Sequence, residues 1–227
     1  RGLAPPDNDN NCQVEIVIYD IDGAFNIGGY FSPGTAATRE VVYIDFADIT
    51  LAWGKSIIAH ELQHLLHNAQ DPYENLWLDE GNADVAIYLC FGADGTLAGH
   101  LNGWTQQSDL SVRWWNQRNG DYGAGFIFTM YLADHLGGGP AVRQLVQDSA
   151  TGGLGVENLA LSPVSGQSGK IGRTMGEIFA NFSIAATIDS DQGIYGFSNL
   201  DLNPSCGGST FCRITPADTN SDWSTPW

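Results

Sequence analysis

Trp53-Gly54-Lys55-Ser56-Ile57-Ile58-Ala59-His60-Glu61-Leu62-Gln63-His64-Leu65-Leu66-His67-Asn68-Ala69 is the stretch on which the reading of this chain depends. Apolar Ile57, Ile58, Leu62, Leu65 and Leu66 recur at helical spacing, and no glycine or proline follows Gly54, so a helix over about 53–69 is expected. At about 100° per residue, His60 and His64 sit about 40° apart on one face, one turn along, where both rings can bind a single ion. Glu61, beside the first ring, can lean over an open metal position and act as general base on a metal-activated water. Five histidines and seven glutamates would give roughly 0.003 such motifs by chance, a strong signal that is not sufficient alone, since an amphipathic helix can show two histidines on its polar face.

Two histidines leave a third ligand to find. His67 shares the helix face but lies seven residues from His60, about 10 Å along the axis, too far to converge on the same tetrahedral ion. Extending the run with glycine at 67 and histidine at 70 would supply a ligand, but the chain has His67 and Gln70 there. A glutamate on the next helix is the other candidate: Trp77-Leu78-Asp79-Glu80-Gly81-Asn82-Ala83-Asp84 opens a helical run soon after His64, where Glu80 would be third ligand and water fourth, the alternative being a first turn that is acidic because the helix dipole favours it. Asp84, one turn beyond Glu80, is placed to accept the outer N–H of a ligating histidine and so fix its tautomer and orientation.

The rest of the chain divides into strands first and helices after. Gln13 to Asp20 reads as a buried strand, Asn26 to Phe31 as an edge strand and Arg39 to Phe46 as a central one. Helices are expected at Leu76 to Phe91, Trp104 to Asn119, Tyr122 to Leu136 (stopped by Gly137-Gly138-Gly139-Pro140), Ala141 to Ala150 and Thr174 to Ile188. The last opens with the capping box Thr174-Met175-Gly176-Glu177. That order implies an α+β protein, a small sheet-containing part and a mostly helical part, in 227 residues that suit one domain.

Nine basic residues against 26 acidic give a net charge of −17, a field that repels phosphate backbones and anionic headgroups, so neither nucleic acid nor membrane is an expected partner. Four cysteines without CxxC spacing fit two disulfides better than a metal knuckle, Cys206 with Cys212 across a short loop and Cys12 with Cys90 as the remainder, with four reduced buried thiols as the alternative. With only two lysines and a start at Arg1-Gly2-Leu3-Ala4-Pro5-Pro6, the expectation is a secreted, monomeric mature domain of a larger precursor.

The motif pair resembles the gluzincin metallopeptidases, thermolysin-like enzymes that combine HExxH with a downstream Asn-Glu-x-x-Ser-Asp; this chain matches at Glu80 and Asp84 and departs at Asp79 and Ala83. The short spacer after His64 is similar to that of compact neutral zinc proteases of the hyicolysin type. So are Tyr43-Ile44-Asp45, Trp77-Leu78-Asp79-Glu80-Gly81 and Tyr122-Gly123 ahead of an aromatic-rich helix to Tyr131, and more loosely Phe179-Ala180-Asn181-Phe182 and Tyr195-Gly196-Phe197-Ser198. The resemblance implies endopeptidase activity, a zinc ion, and a zincin-like fold with a mixed-sheet upper lobe (about 1–69) that carries the active-site helix, over a helical lower lobe (about 70–227).

A peptidase also wants a donor for the oxyanion. Tyr122 is the candidate, at a helix start after Gly120-Asp121 where a phenol can reach a cleft, and the resemblance places a tyrosine there; His100, Tyr131 and His135 are the alternatives. Substrate would lie extended along a sheet edge, for which Gly29 and Tyr30, with Gly28, are candidates unless they form only a turn. Trp104 to Trp115 either walls a pocket or packs in the core. Calcium is a second candidate ion at Asp7-Asn8-Asp9-Asn10, Asp189-Ser190-Asp191 or Asp218-Thr219-Asn220-Ser221-Asp222, although none matches a calcium-loop pattern and solvated acidic turns are the default. The expected function is a zinc-dependent endopeptidase acting on protein or peptide substrates; a zinc exopeptidase and a non-catalytic metal-binding module are the competing readings.

Overall fold

The computed structural model describes residues 3, 5–92, 94–107, 110–163, 169–190, 192–200 and 202. Three strands, β1 (Glu15–Tyr19), β2 (Gly29–Phe31) and β3 (Val41–Asp45), form a mixed sheet in the order β1-β3-β2, with β1 parallel and β2 antiparallel to β3. Two single-turn helices, α1 (Pro33–Ala36) and α2 (Phe46–Ile49), flank β3. The remaining helices are α3 (Gly54–Asn68), α4 (Leu76–Phe91), α5 (Gly95–Thr105), α6 (Asn119–Leu136), α7 (Gly139–Gln147), α8 (Gly153–Leu161) and α9 (Met175–Ile188). The chain is thus a mixed α+β protein with a small sheet, as the strand-then-helix order implied.

Several expectations are corrected. β1 is an edge strand, not a buried one: Ile16, Ile18 and Tyr19 are exposed, because α3 packs across β2 and β3 and stops short of β1. No helix runs from Trp104 to Asn119. Instead α5 ends at Thr105, and the chain before α6 wraps around Asp121, whose carboxylate accepts the backbone N–H of Asn116 and Arg118, each at 3.0 Å. Gln117 takes a positive φ of 59° in that wrap, which a continuing helix forbids. Cys12 and Cys90 are not bridged. Both are exposed free thiols, Cys12 contacting Asp7 and Cys90 sitting at the outer end of α4, while Cys206 and Cys212 lie outside the described residues.

The larger core surrounds α6, which is buried along nearly its whole length. Phe126, Phe128, Tyr131 and Leu132 fill the space toward α4 and α9. Glycines let α6 come close to its neighbours. A Cβ on Gly81 of α4 would meet the Gly125 carbonyl oxygen at 2.5 Å, and one on Gly123 would meet the His100 carbonyl oxygen of α5 at 2.3 Å. Both crossings require glycine, and they bring α4, α5 and α6 together at one end of the bundle. A smaller core of Ala36, Val42 and Leu65 seats α3 on the sheet.

Candidate metal centre

α3 has an unusual buried set. Ile57 and Leu65 face the sheet, but Glu61, Gln63, His64 and His67 are also buried, on the sides turned toward the cleft and toward α4. A helix that buries polar groups gives up solvation unless they find partners, and for the histidines of α3 the carboxylates of α4 supply them. Glu80 Oε2 lies 3.0 Å from His60 Nε2 and 3.4 Å from His64 Nε2. One ligand atom each from His60, His64 and Glu80 lies within 4.8 Å of the others, the one such group of three among the described residues.

This donor set fits a catalytic zinc ion. Two imidazoles and a carboxylate with a fourth position left open is a familiar catalytic zinc arrangement, and bonds of about 2.1 Å to a tetrahedral ion put ligand atoms about 3.4 Å apart. The observed 3.0 and 3.4 Å lie close to that spacing.

Behind the ligands stand two aspartates. His60 Nδ1 donates to Asp84 Oδ1 at 3.1 Å, and His64 Nδ1 donates to Asp79 Oδ2 at 2.9 Å. Asp79, which departs from the asparagine of the resembling family, supports the second ring, and the sequence signal for it is its place next to Glu80 in the acidic first turn of α4. His67 Nδ1 approaches the other oxygen of Asp79, and His100 Nδ1 the other oxygen of Asp84.

Charge balance shows what the site seeks. Burial opposes a charged ring at His60, but Asp84 and Glu80 outweigh it and raise its pKa to about 10. At His64 burial again opposes, and Asp79 and Glu80 raise the pKa well above the ordinary imidazole value. Glu80 is pushed up by burial but held down to about 2 by His64 and His60, and Asp84 likewise to about 2 by His100 and His60. Four carboxylates crowd the two rings, so without a metal the site retains protons where a cation would neutralise it. Glu61 differs: burial raises its pKa, offset only in part by His60 and His64.

A cleft of about 830 Å³ opens over these groups, lined by His60, Glu61, His64 and Glu80, by Gly28 to Phe31 of the β2 segment, and by His100 and Tyr122. Gly28 and Gly29 are needed there, because a Cβ on Gly29 would strike Ile57 Cγ2 at 2.7 Å and the Tyr43 carbonyl at 2.8 Å, and one on Gly28 Ile57 Cδ1 at 2.8 Å. β2 is therefore an edge strand pressed against α3, not merely a turn, with Tyr30 stacked on Tyr43. Tyr122 sits in the first turn of α6, its ring 6.2 Å from that of His60, 4.5 Å from that of His100 and 4.7 Å from that of Trp115. Burial and the charges of Glu80, Asp84 and Glu61 raise its pKa, so it remains a neutral phenol that can donate.

The alternatives to Tyr122 separate. His100 lies in the cleft wall, whereas His135 donates from Nε2 to the Gly196 carbonyl at 2.9 Å and Tyr131 donates to the Ile194 carbonyl at 3.0 Å, both away from the cleft. In the Trp104 to Trp115 segment, Trp104 is buried in the core and Trp115 packs against it and Tyr122. The acidic segments proposed for calcium use their carboxylates locally: Asp9 accepts the Asn11 N–H, and Asp189 accepts those of Phe197 and Leu202. Asp191 and Asp218 to Asp222 lie outside the described residues. Among the described residues no helix is long and apolar enough to cross a membrane.

No protein-family model matches the chain. Among curated proteins it is similar to the neutral metalloprotease ShpI of Staphylococcus hyicus, 26% identical across 86% of this chain and 50% of that protein. The chain thus spans about half the length of the curated relative it matches. That likeness supports a metalloprotease family, in agreement with a donor set suited to a metal.

Proposed function

We propose that this chain is a secreted zinc-dependent endopeptidase of the gluzincin type, its 227 residues forming one catalytic domain with a sheet-bearing part to about residue 69 and a helical part beyond it. The observation that carries the reading is the convergence of His60, His64 and Glu80 from two helices beneath a cleft that Glu61 also lines. The α+β architecture with its small mixed sheet is consistent with a zincin-like fold. Secretion is part of this proposal and draws no support from a Cys12–Cys90 bridge, since both thiols are free.

When bound, zinc supplies Lewis acidity, making water easier to deprotonate and the peptide carbonyl easier to attack. His60, His64 and Glu80 hold it, with Asp84 and Asp79 setting the two rings. Glu61 takes the proton of the attacking water on its carboxylate and passes it to the departing amine nitrogen, a shuttle helped by burial, which raises its pKa. Tyr122 donates its phenolic hydrogen to the oxygen that gains charge in the transition state. Gly29 and Tyr30 on the free edge of β2 pair with an extended peptide backbone, which orients substrate without demanding a sequence.

The test is hydrolysis of casein and of fluorogenic peptides blocked at both ends, with chelator, with zinc restored, and with Glu61→Gln. The expected outcome is activity that chelation abolishes and zinc restores, and a Glu61→Gln protein that keeps its zinc but loses about 10²–10⁴-fold in rate. An active Glu61→Gln protein defeats the assignment. An exopeptidase would spare the doubly blocked peptides, and a non-catalytic module would bind zinc without turnover.

A further inference from the structure

Four of the five histidines are gathered at the metal centre, yet only two of them present a ligand atom to it. The other two stand behind the aspartates. Asp84 gives Oδ1 to His60 Nδ1 at 3.1 Å and Oδ2 to His100 Nδ1 at 2.6 Å. Asp79 has a similar placement, with Oδ2 on His64 Nδ1 at 2.9 Å and Oδ1 2.7 Å from His67 Nδ1, the latter an ion-pair contact outside hydrogen-bond geometry. Each ligand ring on α3 is thus backed by a carboxylate on α4, and each carboxylate is held from its far side by a second ring, one from α3 and one from α5.

His67 has no evident job apart from this, and His100, which also lines the cleft, commits one of its two nitrogens to it. His67 is 1% exposed, and neither of its ring nitrogens makes a hydrogen bond of regular geometry among the described residues, so the 2.7 Å charge contact of Nδ1 with Asp79 Oδ1 is the polar contact that accounts for an imidazole buried where a leucine would cost less. His100 uses Nδ1 on Asp84, which is itself fully buried, and lays its ring face on Tyr122. A buried carboxylate bound through one oxygen alone leaves the other without partner or water, and can also swing about its remaining contact.

We propose that His67 and His100 are positioning residues of the metal centre, each fixing the orientation of a ligand ring, His64 or His60, through the carboxylate of Asp79 or Asp84 that the two rings share. The proposal rests on the metal-centre reading above and adds residues outside the reach of the ion. Loss of either ring frees one carboxylate and lets a ligand imidazole turn, so zinc binding weakens although all three ligands remain. Outer partners of this kind are worth about 10–100-fold in metal affinity.

The test is zinc affinity by competition with a chromogenic chelator, together with urea unfolding of the zinc-free protein, for the parent and for His67→Phe, His100→Phe, and the Asn and Gln variants at both positions. An asparagine amide can stand near the place of Nδ1, whereas a glutamine amide reaches beyond it. The expected result is zinc binding weakened about 10–100-fold by Phe, about tenfold or more by Gln, and held within about threefold of the parent by Asn. A merely structural role would lower the urea midpoint of the zinc-free protein and leave the affinity of the folded protein within about threefold of the parent, which overturns the proposal. If the Phe variants fail to fold, the Asn and Gln pair decides, and equal affinities for those two also overturn it. A parent that takes up no zinc brings down the metal-centre reading and this inference together, whereas a zinc-binding parent with unaffected variants brings down this inference alone.

Discussion

Replacing Gly81 by alanine should loosen the metal centre without touching a ligand. In a free helix the change is favourable by about 1 kcal/mol, because alanine is the better helix former. Here the added Cβ would stand 2.5 Å from the Gly125 carbonyl oxygen, and 2.7 Å from both the Gly125 carbonyl carbon and Thr129 Oγ1. Ordinary contact begins near 3.4 Å, so α4 and α6 must part by about 0.9 Å. Most of the obstacle is backbone of a buried helix and cannot rotate aside, which puts the cost toward the upper end of the roughly 1–3 kcal/mol typical of overpacking. The net expectation is a loss of about 1–2 kcal/mol, a factor of roughly 5–30 in the folded-to-unfolded ratio. Glu80 precedes the substituted residue and Asp84 follows it by less than a turn, so a shift of this size also moves a ligand and its support, weakening zinc binding about tenfold. Urea denaturation of the zinc-free protein followed by circular dichroism, with chelator competition for zinc, measures both effects. A Gly81→Ala protein as stable as the parent would refute the argument that glycine is required at this crossing.

Tyr122→Phe keeps the ring stacked on His100 but removes the phenol, so kcat should fall about 10²-fold with zinc affinity unchanged; a variant with full kcat removes Tyr122 from the mechanism. The zinc-free protein should show a stability plateau in mildly acidic solution. His60 is raised to about 10 and His64 well above its ordinary 6.5, so their pairing is fully present below about pH 6.5 and fades as pH climbs toward 10. Glu80 and Asp84 are lowered to about 2, so their share holds above the ordinary 4.5 and 3.8 and fades as pH falls toward 2. Melting temperatures in chelator that rise from pH 7 to 10 would contradict this. A thiol reagent should label Cys12 and Cys90 in the folded, unreduced protein, and a linked Cys12–Cys90 peptide in a digest would rule the free thiols out.

The parts of the site that repeat along one helix were legible in the sequence, because His60, Glu61 and His64 need only a period of 3.6 to come together, and Glu80 and Asp84 need only the same period on the next helix. What depended on packing between helices was not. The second histidines, His67 and His100, meet Asp79 and Asp84 through the crossings of α3, α4 and α5, and no local pattern encodes those crossings. β1 was misread for a similar reason: Val14, Ile16 and Ile18 alternate as a half-buried strand should, but its place at the sheet edge follows from where α3 lies. The helix expected over residues 104 to 119 failed because aromatic residues read as core on any backbone, while Asp121 draws the preceding amides into a wrap. α8 escaped notice because Gly153 and Gly155 weaken its helical signal, although a Cβ on Gly155 would meet the Ala150 carbonyl oxygen at 2.4 Å.

One carboxylate at the end of the central strand has a wider effect than its size suggests. Asp45 caps α2 by accepting the amides of Ala47 and Asp48, and with its other oxygen accepts those of Ile21 and Asp22, while Asp48 accepts the amide of Phe25. The segment carrying the exposed Phe25 and Ile27 to the cleft is therefore moored by its main chain, at points supplied from elsewhere in the fold. Side chains at such places are free to change by drift or by redesign while the segment keeps its course. On the proposed peptidase reading, substrate preference on that side of the cleft can diversify without disturbing the metal centre beneath it.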